Sequence, residues 1–186
     1  MMIRISDYIQ AIRERCPSFK GRVAGASAWA VDSLVKVEAP DLPAAYVVLE
    51  NEQGGQYSLN GEYLQNVDVS LAVIVLVANQ NNEELRGQGD LEQIDKIRGE
   101  LFHAILFWSP DPKHLEKLAY DGAEVIYLDP ERMAYRFDFK TMYRLDYSDT
   151  YQKSLYESYP AFKENDLELK QDGLSEKIKI LLEQSK

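Results

Sequence analysis

Residues 89–146, GDLEQIDKIRGELFHAILFWSPDPKHLEKLAYDGAEVIYLDPERMAYRFDFKTMYRLD, decide the fold. Leu91, Ile94, Ile97, Leu101, Ile105 and Trp108 recur at helical spacing, whereas Met133, Tyr135, Phe137, Phe139, Thr141, Tyr143 and Leu145 alternate at strand spacing. Asp90 is the expected cap of the helix, which should run to Phe107. Ser109-Pro110-Asp111-Pro112 should end it, because proline lacks a donor and disfavours helical geometry in the residue before it. Two strands follow, about 115–128 with a break at Asp121-Gly122, and 132–146, joined by the turn-like Asp129-Pro130-Glu131. On the last strand Arg136, Asp138, Lys140, Arg144 and Asp146 oppose the aromatic row, so one face is wet and one dry, as in antiparallel pairing.

Working outward, Ile5, Tyr8, Ile9, Ile12 and Cys16 place one apolar stripe on a helix that Ser6 would cap and Pro17 would end. A short helix is expected around Ala26 to Leu34. Ala45 to Glu50 reads as a strand closed by a Gly54-Gly55 turn. A second strand is expected from Tyr63 to Ala78. Its odd positions from Val67 to Val77 are apolar, while its even positions change from Asn66, Asp68 and Ser70 to Ala72, Ile74 and Leu76. The far half should therefore be covered on both sides. The polar stretch 79–89 reads as an exposed loop.

The fold class expected is α+β: a mostly antiparallel sheet of about four strands flanked by helices, in a single domain with a C-terminal extension. The domain spans 1–146. The extension, 147–186, is Tyr-rich and should end in a helix headed by Gly173 with Leu174, Ile178, Leu181 and Leu182 on one side. Tyr147, Tyr151, Tyr156 and Tyr159 have no obvious core role there. Together with Leu174, Ile178 and Leu181 they form the candidate protein interface, since tyrosine gives a large rigid contact area with a polar tip.

The chain has 186 residues, with 31 acidic against 21 basic, for a net charge of −10. That balance opposes avid binding to nucleic acid or an anionic membrane, both of which need clustered cations. The 45% hydrophobic content argues against intrinsic disorder. No secretory leader is expected, because charged residues interrupt positions 1–17. No run approaches the roughly 20 apolar residues of a membrane span. The single Cys16 cannot close a disulfide within the chain and reads as a buried thiol in a reducing compartment.

The chemistry-bearing residues form no catalytic, cofactor-binding or metal constellation. His114 lies near Asp111 and Glu116, but no HExxH, CxxC or HxH pattern accompanies it. His103, on an apolar helix, is expected to be partly buried and hydrogen-bonded. Cys16 lacks a neighbouring base or an electropositive setting. Neither glycine-containing loop matches a phosphate-binding motif. The contrasting class, an enzyme or small-ligand module, would need a deep pocket with convergent polar groups.

The chain resembles the tail terminator proteins of tailed bacteriophages. The likeness runs from the N-terminal helix through Leu42-Pro43-Ala44-Ala45-Tyr46-Val47-Val48 and the strand ending Val77-Ala78-Asn79. It continues through Ile94-Asp95-Lys96-Ile97-Arg98, Ile105-Leu106-Phe107-Trp108-Ser109-Pro110, Leu118-Ala119-Tyr120-Asp121-Gly122-Ala123 and Tyr135-Arg136-Phe137-Asp138-Phe139. One departure is Phe107, where the family commonly has Leu-Gly-Trp before the proline. The resemblance implies a structural virion protein, not an enzyme, with no cofactor, assembled in the host bacterial cytoplasm. It would form a ring with copies of itself, typically a hexamer, that sits on the tail tube protein and ends tube polymerisation. Its other side would offer a surface to the head-tail connector or neck protein, with the tail sheath as a further neighbour. DNA would pass the lumen without specific binding. Another head-tail joining, neck or tail completion protein of similar fold is the alternative.

Overall fold

The computed structural model describes residues 3–28, 41–58, 63–79, 88–111, 114–158, 164–171 and 174–181. The chain separates into two compact units, Met1–Asp146 and Tyr147–Lys186.

The first unit contains helices α1 (Ile5–Arg15) and α2 (Gln88–Ile105). It also contains strands β1 (Val23–Gly25), β2 (Ala44–Ser58), β3 (Leu64–Ala78), β4 (His114–Leu128) and β5 (Arg132–Asp146). They form one five-stranded sheet in the order β1-β2-β3-β5-β4. The four long strands are antiparallel to their neighbours, and the three-residue β1 adds a fifth strand parallel to β2. The sheet is therefore mixed, with the expected antiparallel part as its body.

The two-residue period of β3 sorts the core. Val67, Val69, Leu71, Val73, Val75 and Val77 join Phe137 and Phe139 of β5 in one buried cluster. Tyr8, Ala11 and Ile12 of α1 and Ile94, Ile97, Leu101, Ala104 and Ile105 of α2 lie in the same cluster, so both helices cover the same face. The opposite face is wet at Asp68 and closes further along, where Ile74 and Leu76 join Ala44, Tyr46 and Ala134 in a second cluster. The far half of β3 is covered on both sides, as its sequence implied. Thr141, a buried polar group in the aromatic row, donates its hydroxyl to the Glu116 carbonyl at 2.7 Å. On the wet face Arg136 joins Glu50 at 2.6 Å and Asp138 at 2.7 Å.

Several boundaries differ from the sequence reading. β2 does not turn at Gly54-Gly55; it runs on to Ser58, with register shifts between Leu49 and Asn51 and between Gly54 and Tyr57. A Cβ on Gly54 would stand 2.8 Å from Nε2 of the flexible Gln65 side chain, which can move aside, whereas one on Gly55 would stand 3.3 Å from the Asn66 carbonyl oxygen. The β3 backbone therefore comes close at Gly55, inside the register shift. Asp121-Gly122 likewise marks a register shift inside β4 and leaves the strand unbroken. Ser6 lies inside α1 and does not cap it; Arg4 holds the cap position, with no side-chain cap bond. α2 begins at Gln88, two residues before Asp90, and ends at Ile105. Positions 26–28 are helical, as expected, while 29–34 and loop positions 80–87 lie outside the described residues.

The second unit holds a 3-10 turn (Tyr147–Asp149), helix α3 (Tyr151–Ser158) and strands β6 (Glu164–Gln171) and β7 (Leu174–Leu181). The expected C-terminal helix is instead β7, paired antiparallel with β6 from Glu164↔Leu181 to Gln171↔Leu174. Asp172-Gly173 between two alternating runs is a two-residue hairpin signal, and Ile178, Ile180 and Leu182 follow the strand period.

Candidate functional site

The residues carrying the most chemistry serve structure. Cys16 is fully buried, and desolvation, with the Glu100 carboxylate as a second cause, pushes its thiol up to about 12. A thiol held protonated at neutral pH is a poor nucleophile. Glu100 instead ties the turn after α1 to α2, accepting the Ser18 N–H at 3.0 Å and its hydroxyl at 2.8 Å. His103 is exposed rather than partly buried, with Nδ1 2.7 Å from the Gly99 carbonyl oxygen one helical turn back. Burial lowers the His114 imidazole pKa from its usual value, while Asp111 and then Asp7 pull it back up. Among the described residues no group of three or more His, Cys, Asp or Glu is placed to hold a metal.

An open groove of about 360 Å³ runs along α1, with Asp7, Glu14 and Arg15 on its walls and Trp108 and Pro110 closing one side. Tyr8 meets Trp108 edge-on at 5.6 Å, and the Arg15 guanidinium lies 4.8 Å over the same ring. Trp108 thus anchors the end of α2 to α1. Its polar neighbours lie at the rim of an open surface and do not converge on one point, which suits contact with another surface better than enclosure of a small molecule.

The surfaces that remain unexplained by folding are exposed apolar ones. In the second unit, Tyr151 and Tyr156 are exposed, and α3 buries none of its side chains. Tyr147 and Tyr156 approach with ring centroids 6.4 Å apart. The candidate interface is thus brought together at Tyr147 and Tyr156. Tyr151 stands exposed on the same helix, Tyr159 lies outside the described residues, and Leu174, Ile178 and Leu181 fall on β7.

Periodicity did not reveal a larger surface on the first unit. β4, at one end of the sheet, exposes Leu115, Tyr120, Val125, Ile126 and Leu128, although its composition resembles that of the buried strands. Beside it Phe107 has a left-handed backbone, φ 57°, and a side chain 73% exposed. Its N–H donates to the Leu118 carbonyl at 2.8 Å, and the Lys117 ammonium lies 4.4 Å over its ring. A left-handed residue just past a helix end is ordinarily glycine.

An α+β subunit with a buried thiol and exposed apolar edges suits contact with other chains. A family model described as phage tail terminator protein matches residues 2–150, and the chain belongs to that family. It is a structural protein of a phage tail. A chain in a solved structure titled "Virion of native gene transfer agent (GTA) particle" superposes with a TM-score of 0.45 at 12% identity, covering 74% of this chain and 92% of that one. No curated protein sequence matches it significantly.

Proposed function

We propose that this protein closes the phage tail tube: copies of it form a ring, with a hexamer as the expected size, that docks on the last ring of tube protein. Docking stops polymerisation and leaves the opposite side of the ring for a head-tail connector or neck protein. The observation that carries this reading is the family match across 2–150, which spans the whole five-stranded unit. A closed ring suits a subunit whose exposed edges differ from each other, because head-to-tail contacts either close on themselves or run on into a filament. The net charge of −10 keeps a DNA conduit from gripping its cargo, since phosphates are held by clustered cations. Tyr147, Tyr151, Tyr156 and Tyr159, with Leu174, Ile178 and Leu181, are candidate contacts to a tail protein or a neighbouring subunit.

The test is to add the purified protein to polymerising tail tube subunits and measure tube length by negative-stain microscopy. Shorter tubes with added mass at one end are expected. Tubes of unchanged length with bare ends would refute the reading.

A further inference from the structure

β4 is an edge strand, yet over Ala119–Leu128 it carries no lysine, arginine or proline; Asp121, Glu124 and the register shifts at Tyr120/Gly122 and Val125/Tyr127 are the features there that limit pairing to a partner of matching register. Among the described residues, only the 107–108 segment bonds to its outer side, through Phe107 N–H to the Leu118 carbonyl and Leu118 N–H to the Trp108 carbonyl. β2 mirrors this arrangement. Among the described residues β1 covers it only at Ala45–Val47, so Val48–Tyr57 presents a second open edge there, likewise without lysine, arginine or proline. An open edge offers a row of backbone donors and acceptors, and the group that satisfies such a row is another strand.

Three properties fit these edges to each other. Both open stretches are about ten residues, or roughly 33 Å, long. The sheet contains four long strands in strict alternation, so β2 and β4 run in opposite directions. A rotated copy set side by side with the first therefore brings β4 against β2 in antiparallel sense. Finally, two of the four acids on these stretches already have basic partners within their own chain, Asp121 2.9 Å from Lys140 and Glu50 2.6 Å from Arg136. That leaves Glu124 and Glu52 as the acids the seam must keep apart through its register.

The two stretches are not level across the sheet. Val125 aligns through Tyr135 and Val75 with Ala45, at the end of β2 that β1 covers. Pairing the open parts thus requires a stagger between copies, and a stagger of this kind tilts the strands when a sheet closes around an axis. The register shifts in β4 add the bend that closure needs.

We propose that the outer edge of β4, from Ala119 to Leu128 with Phe107 at its end, pairs antiparallel with the outer edge of β2, Val48 to Tyr57, of the next copy of this chain. This proposal rests on the ring reading and identifies its subunit seam. With the stretches fully overlapped, Leu128 stands near Leu49 of the next copy. Phe107 then stands near Tyr57 of that copy, which gives a use for an exposed aromatic residue in a conformation that glycine would adopt without strain.

The test joins the seam covalently in protein bound to tail tubes. Leu49→Cys and Leu128→Cys are combined in one chain, each is also made singly, and all are treated with a short bis-maleimide that tolerates a slip of register. Cys16, buried and protonated, gives the unmodified protein as a blank. The double variant should yield a ladder of covalent oligomers, and the single variants only monomers. Covalent dimers from either single variant would show like edges meeting and overturn the seam. Capped tubes without any ladder would overturn the seam while leaving the capping reading intact, and failure of the unmodified protein to cap tubes would overturn both. Phe107→Gly is the second variant. Its melting temperature should match that of the parent, since relief of the left-handed backbone offsets the added freedom of glycine, while the concentration needed for half-maximal ring formation should rise at least tenfold. Unchanged assembly by this variant would remove Phe107 from the seam.

Discussion

β3 and β4 are both 15-residue strands of one sheet and both mainly apolar, although β4 carries four charged residues to one in β3, and their fates are opposite. β3 pairs with β5 in an unbroken register from Leu64↔Asp146 to Ala78↔Arg132, and its run from Leu71 to Val77 is buried throughout. β4 pairs with β5 through four register shifts and leaves Val125 and Leu128 half or more exposed. Position in the sheet separates them. A central strand uses its side chains and both backbone edges to make the fold, whereas an edge strand leaves one edge and much of its apolar surface exposed, the surface of the proposed seam.

The largest effects should come from the central half. Phe137, fully buried between β3 and the helices, should cost about 3–5 kcal/mol on replacement by alanine, and Leu101→Ala about 2–5 kcal/mol, both read by urea denaturation. A cost for Phe137→Ala no greater than that of an exposed β4 substitution would break the distinction between the strands. Glu100→Ala should cost about 1 kcal/mol for the two hydrogen bonds lost from Ser18, a test of whether the turn after α1 belongs to the rigid half.

The turn joining β4 to β5 gives a smaller, pH-dependent effect. Asp129 accepts the Tyr127 hydroxyl and the N–H groups of Glu131 and Arg132, each at 2.7 Å. These bonds, led by that from Tyr127, hold its carboxyl below the usual aspartate range. Because the folded value is the lower one, the stabilisation is complete above roughly pH 3.9 and is lost as pH falls through the lowered value. A melting-temperature titration should show a small acid-side decline that Asp129→Asn flattens. The smallest change belongs to Cys16, which should resist alkylation in the folded protein at neutral pH and react once denaturant is added.

This contrast also marks what could be read from the sequence. The odd-position valines of β3, the aromatic row of β5 and the Ile94–Ile105 stripe of α2 are dictated by burial and by the two periods of backbone geometry, so their pattern announced them. The exposure of Val125, Ile126 and Leu128 was not legible, because the residue types alone do not say whether an apolar side chain lies on a covered or an uncovered part of a strand. The Gly54-Gly55 bulge looked like a turn because glycine serves both. At the C-terminus, Leu174, Ile178 and Leu181 suit a helix by spacing alone, and the Asp172-Gly173 signal for a hairpin carried the better information. Of the candidate interface, the clustering of Tyr147 with Tyr156 depends on the short helix α3, whose lack of a buried face leaves no clean period to read.

The most direct measurement compares folding with assembly in one variant, Val125→Glu combined with Leu128→Glu, which sets new acids near Glu50 and Glu52 of the next copy. Both sites lie on the exposed edge, 50% and 66% accessible, where substitutions usually stay within about 0.5 kcal/mol. The account predicts a melting temperature equal to that of the parent, together with loss of ring formation and of tube capping by light scattering and negative-stain microscopy. A variant that still forms rings and caps tubes, or one that unfolds in step with its loss of assembly, would contradict the division between a folding half and an assembling edge.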